Sequence, residues 1–438
     1  MRLSLLAVAL TVVGMAAAAP RIGMSGQYHE RRAELCKNLN EGLTILLGYT
    51  EKDTEDLRGA FVQEPNFYYL TGWREPGAIL MLAPLPSDTN APGYGAQASL
   101  PREILFLPRR NLEQEKWTGV KLGPDDANAR HLTGFETVLP AETMETELRK
   151  MLDVYPRIYT LTERPAAKRL EALAPLRQIS SAALAIARLR MVKSSEEQVL
   201  LQRSIEATIE AHRAAWKRAA AGLYEYQIAA TMMEVYFDKG CERSGYPPIV
   251  GSGPNAVVLH YSDNSRRMDR GELLLMDVGA ECSGYTSDIT RTIPLGGKFN
   301  KRQREIYDIV LGAQKAAIAA IKPGMSLGKT APNSIYKIAL EYINAHGKDL
   351  HGASLGKYFI HGIGHQVGLE VHDAADSGMP LEAGMVITIE PGIYIPEENI
   401  GVRIEDMLLV TRTGSKLLSG ALPREPAEIE RALSKGSP

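Results

Sequence analysis

The chain has 438 residues, 45% of them hydrophobic and 23% charged, a balance that reads as globular and a length that reads as two domains. Lys and Arg number 50 against 52 Asp and Glu, and no basic block stands out, so composition offers no electrostatic case for nucleic acid as a partner. Three cysteines, Cys36, Cys241 and Cys282, make no disulfide framework; one bridge is compatible with them, but spacing does not say which.

The amino terminus, "MRLSLLAVALTVVGMAAAAP", carries one Arg, an apolar run from Leu3 to Val13 and then small residues. This is the layout of a secretory signal peptide over residues 1–19, cut after Ala18 or Ala19. The run is short of the roughly 20 residues a membrane span needs. The expectation is an exported protein, periplasmic or secreted, with no stable membrane span after cleavage.

Residues 25–180 mix strands and helices and read as a smaller α/β domain. "AILMLAP" (78–84), "EILFLPR" (103–109) and "RIYTL" (157–161) are apolar runs of strand length, and the Pro-, Gly- and Ser-rich stretch between the first two reads as a mobile loop. An α+β domain is expected over 185–425. It opens with a helix capped by a box of Ser195 and Gln198, with Leu201, Ile205, Ile209 and Trp216 on one face. His212 falls near that face and reads as a packed or half-exposed histidine. Further helices are expected over 301–321, ended by Pro323-Gly324, and over 332–345, ended by Gly347.

The strands of this second domain carry an anomaly. "LLLMDVGA" holds Asp277, "YTSDITRTI" holds Asp288, "MVITIEPGIYI" holds Glu390, and "VRIEDMLLV" holds Glu405 and Asp406. A carboxylate in a buried strand is costly unless it is paired or binds a cation. A hairpin with Cys282-Ser283 at its tip would set Asp277 directly opposite Asp288, with Cβ atoms roughly 4.5–5.5 Å apart. A turn centred on Glu397-Glu398 would set Glu390 opposite Glu405. Bare carboxylates so placed repel one another, and a cation between them removes the conflict. "HGIGHQVGLEVHD" (361–373) adds His361, His365 and His372, which suit metal ligation, proton handling or a plain turn. Two Asp, two Glu and a His fit two divalent cations better than one; hard ligands favour Mn(II), with Co(II), Fe(II) or Zn(II) admitted by geometry. Such a pair generates a bridging hydroxide, and the reaction class implied is hydrolysis.

Together, "VGSGPNAVVLHYS", "LLLMDVGAECSGYTSDITRT", "HGIGHQVGLEVHD", "TIEPGIYI" and "GVRIEDMLLVT", in that order, resemble the aminopeptidase P and prolidase family of dinuclear metallopeptidases. "EPNFYYLTGWREPGAILML" and "LEQEKWTGVKLG" resemble the domain that precedes the catalytic one in aminopeptidase P proteins. The resemblance runs from about residue 55 to 412. It implies a C-terminal pita-bread catalytic domain. It also implies that Asp277, Asp288, His365, Glu390 and Glu405 are metal ligands, with Asp288 and Glu405 bridging. His260 and His372 then contact substrate and stabilise the tetrahedral intermediate. His361 lines the pocket for the residue after the scissile bond, Tyr394 and Arg403 support the site, and Glu390 or a neighbouring group relays a proton to the leaving nitrogen. The activity implied is Xaa-Pro aminopeptidase, acting on peptides with proline second, in a homo-oligomer, dimer or tetramer.

A prolidase restricted to Xaa-Pro dipeptides is the alternative, and a non-catalytic peptide-binding domain the remote one. The complete ligand set argues against the latter, and against metal-free hydrolysis of the creatinase kind. His29, His131, His346 and His351 read as surface or loop residues. Cys282 reads as a turn residue. Trp73 and Trp117 read as packing residues, Trp73 being also a candidate for shaping the mouth of the site.

Overall fold

The computed structural model describes residues 25–53, 61–85 and 100–434, with positions 95 and 98 between. The leader-like segment and most of the Pro-rich loop after residue 85 lie outside the described residues. The chain divides into two compact units, Met1–Ala185 and Ile186–Pro438. No helix among the described residues is long and apolar enough to cross a membrane.

The first unit is built on a six-stranded sheet of order β4-β3-β2-β1-β5-β6. Its strands are β1 (Leu43–Leu47), β2 (Ile79–Leu82), β3 (Glu103–Leu107), β4 (Thr137–Pro140), β5 (Arg157–Thr160) and β6 (Gln178–Ser181). The pairs β1–β2 and β2–β3 are antiparallel, and β3–β4, β1–β5 and β5–β6 are parallel. Alternate residues Leu43, Ile45 and Leu47 of β1 join Met81, Phe106 and Ile158 in one core beneath the Met144–Leu152 helix, as the two-residue period of a strand requires. The expected α/β character is present. Trp73 is buried, but Trp117, expected as packing, stands 90% exposed on the helix Leu112–Thr118, which buries no residue at all.

The second unit carries strands in short sheets: β7 (Arg243–Ser244), β8 (Ile249–Ser252), β9 (Leu273–Val278), β10 (Ala280–Cys282), β11 (Tyr285–Thr286) and β12 (Ile289–Pro294). After two long helices come β13 (Val386–Ile389), β14 (Gly392–Ile395), β15 (Ile400–Arg403), β16 (Asp406–Val410) and β17 (Ser415–Leu417). The helix Ser195–Arg218 packs on β10, β11 and β12, and the helix Lys301–Ala320 packs on β13, β14 and β15. The capping box of the first lies one residue earlier than its sequence suggested: Ser194 is the cap and Glu197 its partner, a carboxylate accepting the cap N–H in place of Gln198. The second stops at Ala320, ahead of Pro323-Gly324. The third runs Ile335–His346, starting late because the Ser334 side chain caps it, and ends at Gly347. His212 is fully buried.

Candidate metal centre

The acidic strands converge on one cavity of about 480 Å³, lined among others by Asp277, Asp288, His365, Glu390 and Glu405. Two strand pairs supply the acids. In the first, the tip is Ser283-Gly284, both at positive φ (63° and 83°), not Cys282-Ser283. A two-residue hairpin turn with left-handed backbone at both central positions is the type I′ form, which glycine adopts without a Cβ penalty, so Gly284 favours the tip here. The register shifts accordingly: Asp277 faces Thr290, not Asp288. Asp288 stands two residues before Thr290, hence on the same face and diagonal to Asp277. Cys282 is not a bare turn residue either; it lies in β10 and is disulfide-bonded to Cys241.

The second pair keeps the expected register. Gly392 faces Arg403 in β14–β15 and Ile389 faces Asp406 in β13–β16, so the break between them carries Glu390 and Glu405 on opposing strands. The turn is the 3₁₀ stretch Pro396–Glu398, closed by left-handed Asn399.

The segment 361–373 runs beside β13, with Gln366 bridging Ile387 and the Thr388 N–H donating to the His365 carbonyl at 2.9 Å. Gly364 is obligatory there, because a Cβ would come within 2.0 Å of the Thr388 carbonyl oxygen. This close approach brings His365 Nε2 to 3.4 Å from Asp288 Oδ2 and 3.6 Å from Glu390 Oε1. His365 Nδ1–H donates to the Gln366 carbonyl at 3.0 Å, which leaves the Nε2 lone pair aimed at carboxylates. Two lone-pair donors face to face demand a proton or a cation between them. Asp288, His365 and Glu405 offer ligand atoms all within 4.8 Å of one another. Glu405 Oε1 is buried and has no hydrogen-bond partner among the described residues, an orphan that a cation would satisfy. The donor set therefore fits hard divalent ions.

The electrostatics agree. Burial and the neighbouring acids push Asp288 and Glu405 well above the usual carboxylate range. Burial and Glu405 push Glu390 up to about 8. Asp277 goes the other way: burial alone would raise it, but the Arg403 guanidinium, 2.5 Å from Oδ2, holds it down.

Arg403 also donates to the Tyr394 hydroxyl at 2.7 Å, and that hydroxyl lies 2.8 Å from His361 Nε2. His361 Nδ1 lies 2.8 Å from the Gly362 carbonyl. The donors run in one direction, Arg403 to Tyr394 to His361 to backbone, with His361 neutral. Its pKa is pushed down to about 3 by burial and by Arg403. The His372 ring packs on the His365 ring, 4.3 Å between centroids, and its pKa is lowered by burial and by His365 and His260. Next to it, Asp373 is buried and paired with Arg190 and with Lys193 at 2.9 Å. His260 is exposed at the rim of the same cavity. His29, His131, His346 and His351 do not line it.

Two side chains here were not anticipated. The Tyr246 hydroxyl sits 2.7 Å from Asp277 Oδ1 and 2.5 Å from Asp288 Oδ1, bracing the two acids against each other. Thr290 donates to Glu405 Oε2 at 2.7 Å and accepts from Arg403 Nε at 3.3 Å, joining the two strand pairs. A tyrosine four residues before the "VGSG" stretch shows no periodicity that would mark it. Thr290 was hidden by the one-residue error in the tip, since it is the true partner of Asp277.

Comparison with known proteins gives a consistent result. Residues 199–412 match the family model described as metallopeptidase family M24, and residues 28–159 match the one described as the aminopeptidase P N-terminal domain. The chain is 33% identical to a Xaa-Pro aminopeptidase of Haemophilus influenzae, covering 93% of this chain and 97% of that one. It is 31% identical to a Xaa-Pro aminopeptidase of Escherichia coli, covering 92% and 96%. The solved structure of aminopeptidase PepP of Pseudomonas aeruginosa superposes with a TM-score of 0.83 at 29% identity, covering 94% and 98%.

Proposed function

The chain belongs to metallopeptidase family M24, with an aminopeptidase P N-terminal domain ahead of the catalytic one, and we propose that it is an Xaa-Pro aminopeptidase. It is a metallo-aminopeptidase of the pita-bread fold that hydrolyses the bond between a first residue and a penultimate proline. One observation carries this reading. Four carboxylates and the Nε2 lone pair of His365 converge in one cavity, in a chain similar over nearly its full length to Xaa-Pro aminopeptidases.

Asp277, Asp288, His365, Glu390 and Glu405 would hold two divalent ions, with Mn(II) the best match to an oxygen-rich set. When bound, such ions supply an activated water and polarise the scissile carbonyl. Arg403 and Tyr246 keep Asp277 aimed inward. Glu390, or a neighbouring group, takes a proton from the attacking water and passes it towards the leaving imide nitrogen. His372 and His260 face the developing oxyanion and donate to it. His361, held neutral and fixed by Tyr394, walls the proline pocket. An Xaa-Pro bond has no N–H for a strand-like peptide groove to read, so a shaped pocket carries recognition.

Export after removal of the leader remains part of the proposal. The Cys241–Cys282 bridge supports it, since disulfides persist in oxidising compartments. A homo-oligomer is supported by the exposed Leu112, Trp117 and Val120 of the first unit, an apolar surface that a neighbouring subunit would cover.

The relatives named above do not favour the prolidase alternative. The experiment is direct: strip the protein with chelator, restore Mn(II), and assay Xaa-Pro dipeptides beside Xaa-Pro-Yaa peptides. The proposal expects activity on the longer peptides, lost on stripping and regained with metal. Cleavage of dipeptides alone would establish a prolidase, and full activity in the stripped protein would sink the two-metal mechanism.

A further inference from the structure

Behind the strands that carry Asp277 and Asp288, the helix Ser195–Arg218 presents three polar residues at four-residue spacing: Ser204, Thr208 and His212. All are fully buried. Four-residue spacing puts them on one stripe, facing the back of the sheet. Polar side chains on the buried face of a long helix cost stability unless each is paired.

Thr208 and His212 are paired to the segment on either side of Asp288, while the Ser204 hydroxyl donates to the Leu201 carbonyl of its own helix at 2.8 Å. Thr208 Oγ1 accepts from the Ala280 N–H at 2.9 Å and lies 2.8 Å from Ser287 Oγ. Ser287 Oγ donates in turn to the Ser204 carbonyl at 3.1 Å. His212 Nε2 lies 3.0 Å from the Ile289 carbonyl, so it must carry the proton, and His212 Nδ1 is left buried with no hydrogen-bond partner among the described residues. Ser287 and Ile289 flank Asp288 and, by the alternation of a strand, lie towards the helix while Asp288 points away into the cavity. The regular β9–β12 pairing ends at Val278 and Ile289, and beyond it the Ser287 N–H donates to the Ala280 carbonyl at 3.0 Å, so these side chains add to a thin backbone tether.

We propose that Thr208 and His212 are positioning residues for the metal centre: by holding Ser287 and Ile289 from behind, they fix the direction in which Asp288 presents its carboxylate. The proposal rests on the reading of Asp288 as a metal ligand. The helix thereby takes part in metal affinity without contacting the metal or the substrate. Its polar stripe is explained by this role, which packing alone would fill with apolar residues.

The test is calorimetric titration of the metal-free full-length protein with Mn(II), together with the visible absorption of the Co(II)-loaded form. Thr208→Val keeps the shape and removes the hydroxyl; His212→Leu removes the ring donor. Each is expected to weaken metal binding about 10–100-fold, as losses of groups that orient ligands do, and to alter the Co(II) spectrum. Thr208→Ser and His212→Gln, which restore a hydroxyl and an N–H, are expected to return affinity to near the wild-type value. If Thr208→Val does not fold, the contrast between His212→Leu and His212→Gln decides. Unchanged metal affinity with only a lowered melting temperature would reduce these residues to packing and overturn the proposal. Failure of the wild-type protein to bind divalent metal would overturn the function itself, and this proposal with it.

Discussion

Metal binding at this site should release protons, and the structure sets the scale. In the metal-free protein burial and Glu405 push Glu390 up to about 8, and Asp288 and Glu405 are also raised. A cation needs these groups deprotonated. For a single carboxyl with a pKa near 8, proton competition weakens binding by about 11-fold at pH 7 and about 100-fold at pH 6. Affinity should therefore rise about ninefold between pH 6 and 7 and level off above 8, more steeply if Asp288 or Glu405 also gives up a proton. The sign carries over to stability. A carboxyl that is harder to ionise when folded makes the metal-free fold less stable as pH rises from the unfolded pKa of about 4.3 to the folded value. The gap in melting temperature between metal-loaded and stripped protein should widen from pH 6 to pH 8. Calorimetry with Mn(II) in buffers of different ionisation enthalpy counts the protons directly. Binding that is flat over this range, with no proton released, would refute the account of the site.

Replacing Asp373 by Asn leaves the buried Arg190 and Lys193 side chains facing a neutral amide, which should cost about 3–5 kcal/mol in urea unfolding at pH 7. Burial alone would raise Asp373, but Lys193 and Arg190 hold it below the usual range, so its stabilisation is full above the unfolded pKa of about 3.9. The difference between wild type and variant should shrink as pH falls through the folded value. His372→Ala should lower kcat on Xaa-Pro-Yaa peptides about 10²–10³-fold with a smaller change in KM, because its donor is used by the developing oxyanion; a change confined to KM would remove it from that role. Replacing Cys241 and Cys282 together by Ser should cost about 2–4 kcal/mol in reversible unfolding, the usual effect of opening a loop of this size. Equal stability of wild type and double variant would mean that the bridge does not form in solution.

The acids of the site were legible because charge inside apolar strands violates a strong rule, and the violation recurs at Asp277, Asp288, Glu390 and Glu405. Their registers were legible only in part. The Glu390–Glu405 pair follows from alternation through a centred four-residue turn, residues 396–399. The Asp277–Asp288 pair required the backbone sign at Ser283 and Gly284, since a tip placed one residue early moves the partner of Asp277 by two residues, from Thr290 to Asp288. Ser194 and Ser195 are equivalent as letters, and only the Glu197 hydrogen bond separates them. β1 was missed because "LTILL" is followed at once by Gly48 and shows no alternation, being buried on both faces. Tyr246 and Thr290 act by touching carboxylates from distant strands, a relation that a sequence does not display. Trp117 shows the converse: an aromatic residue predicts burial, yet its short helix buries no residue within the described chain.

The two acid pairs arise differently from the joint between them. Asp277 and Asp288 sit on adjacent strands closed by a two-residue turn, and Glu390 and Glu405 on strands joined by another short one. Each half can form early and locally, since closing a short loop loses little entropy. The halves meet only through contacts far apart in sequence, such as Thr290 to Glu405 and Arg403 to Asp277. Each half brings two negative charges to that meeting, with Arg403 the counter-charge reaching across. A divalent cation would lower the barrier to docking as well as serve the finished site. Refolding from urea should then be faster with Mn(II) present than after chelation, making the metal a participant in the folding of this chain before it is one in its chemistry.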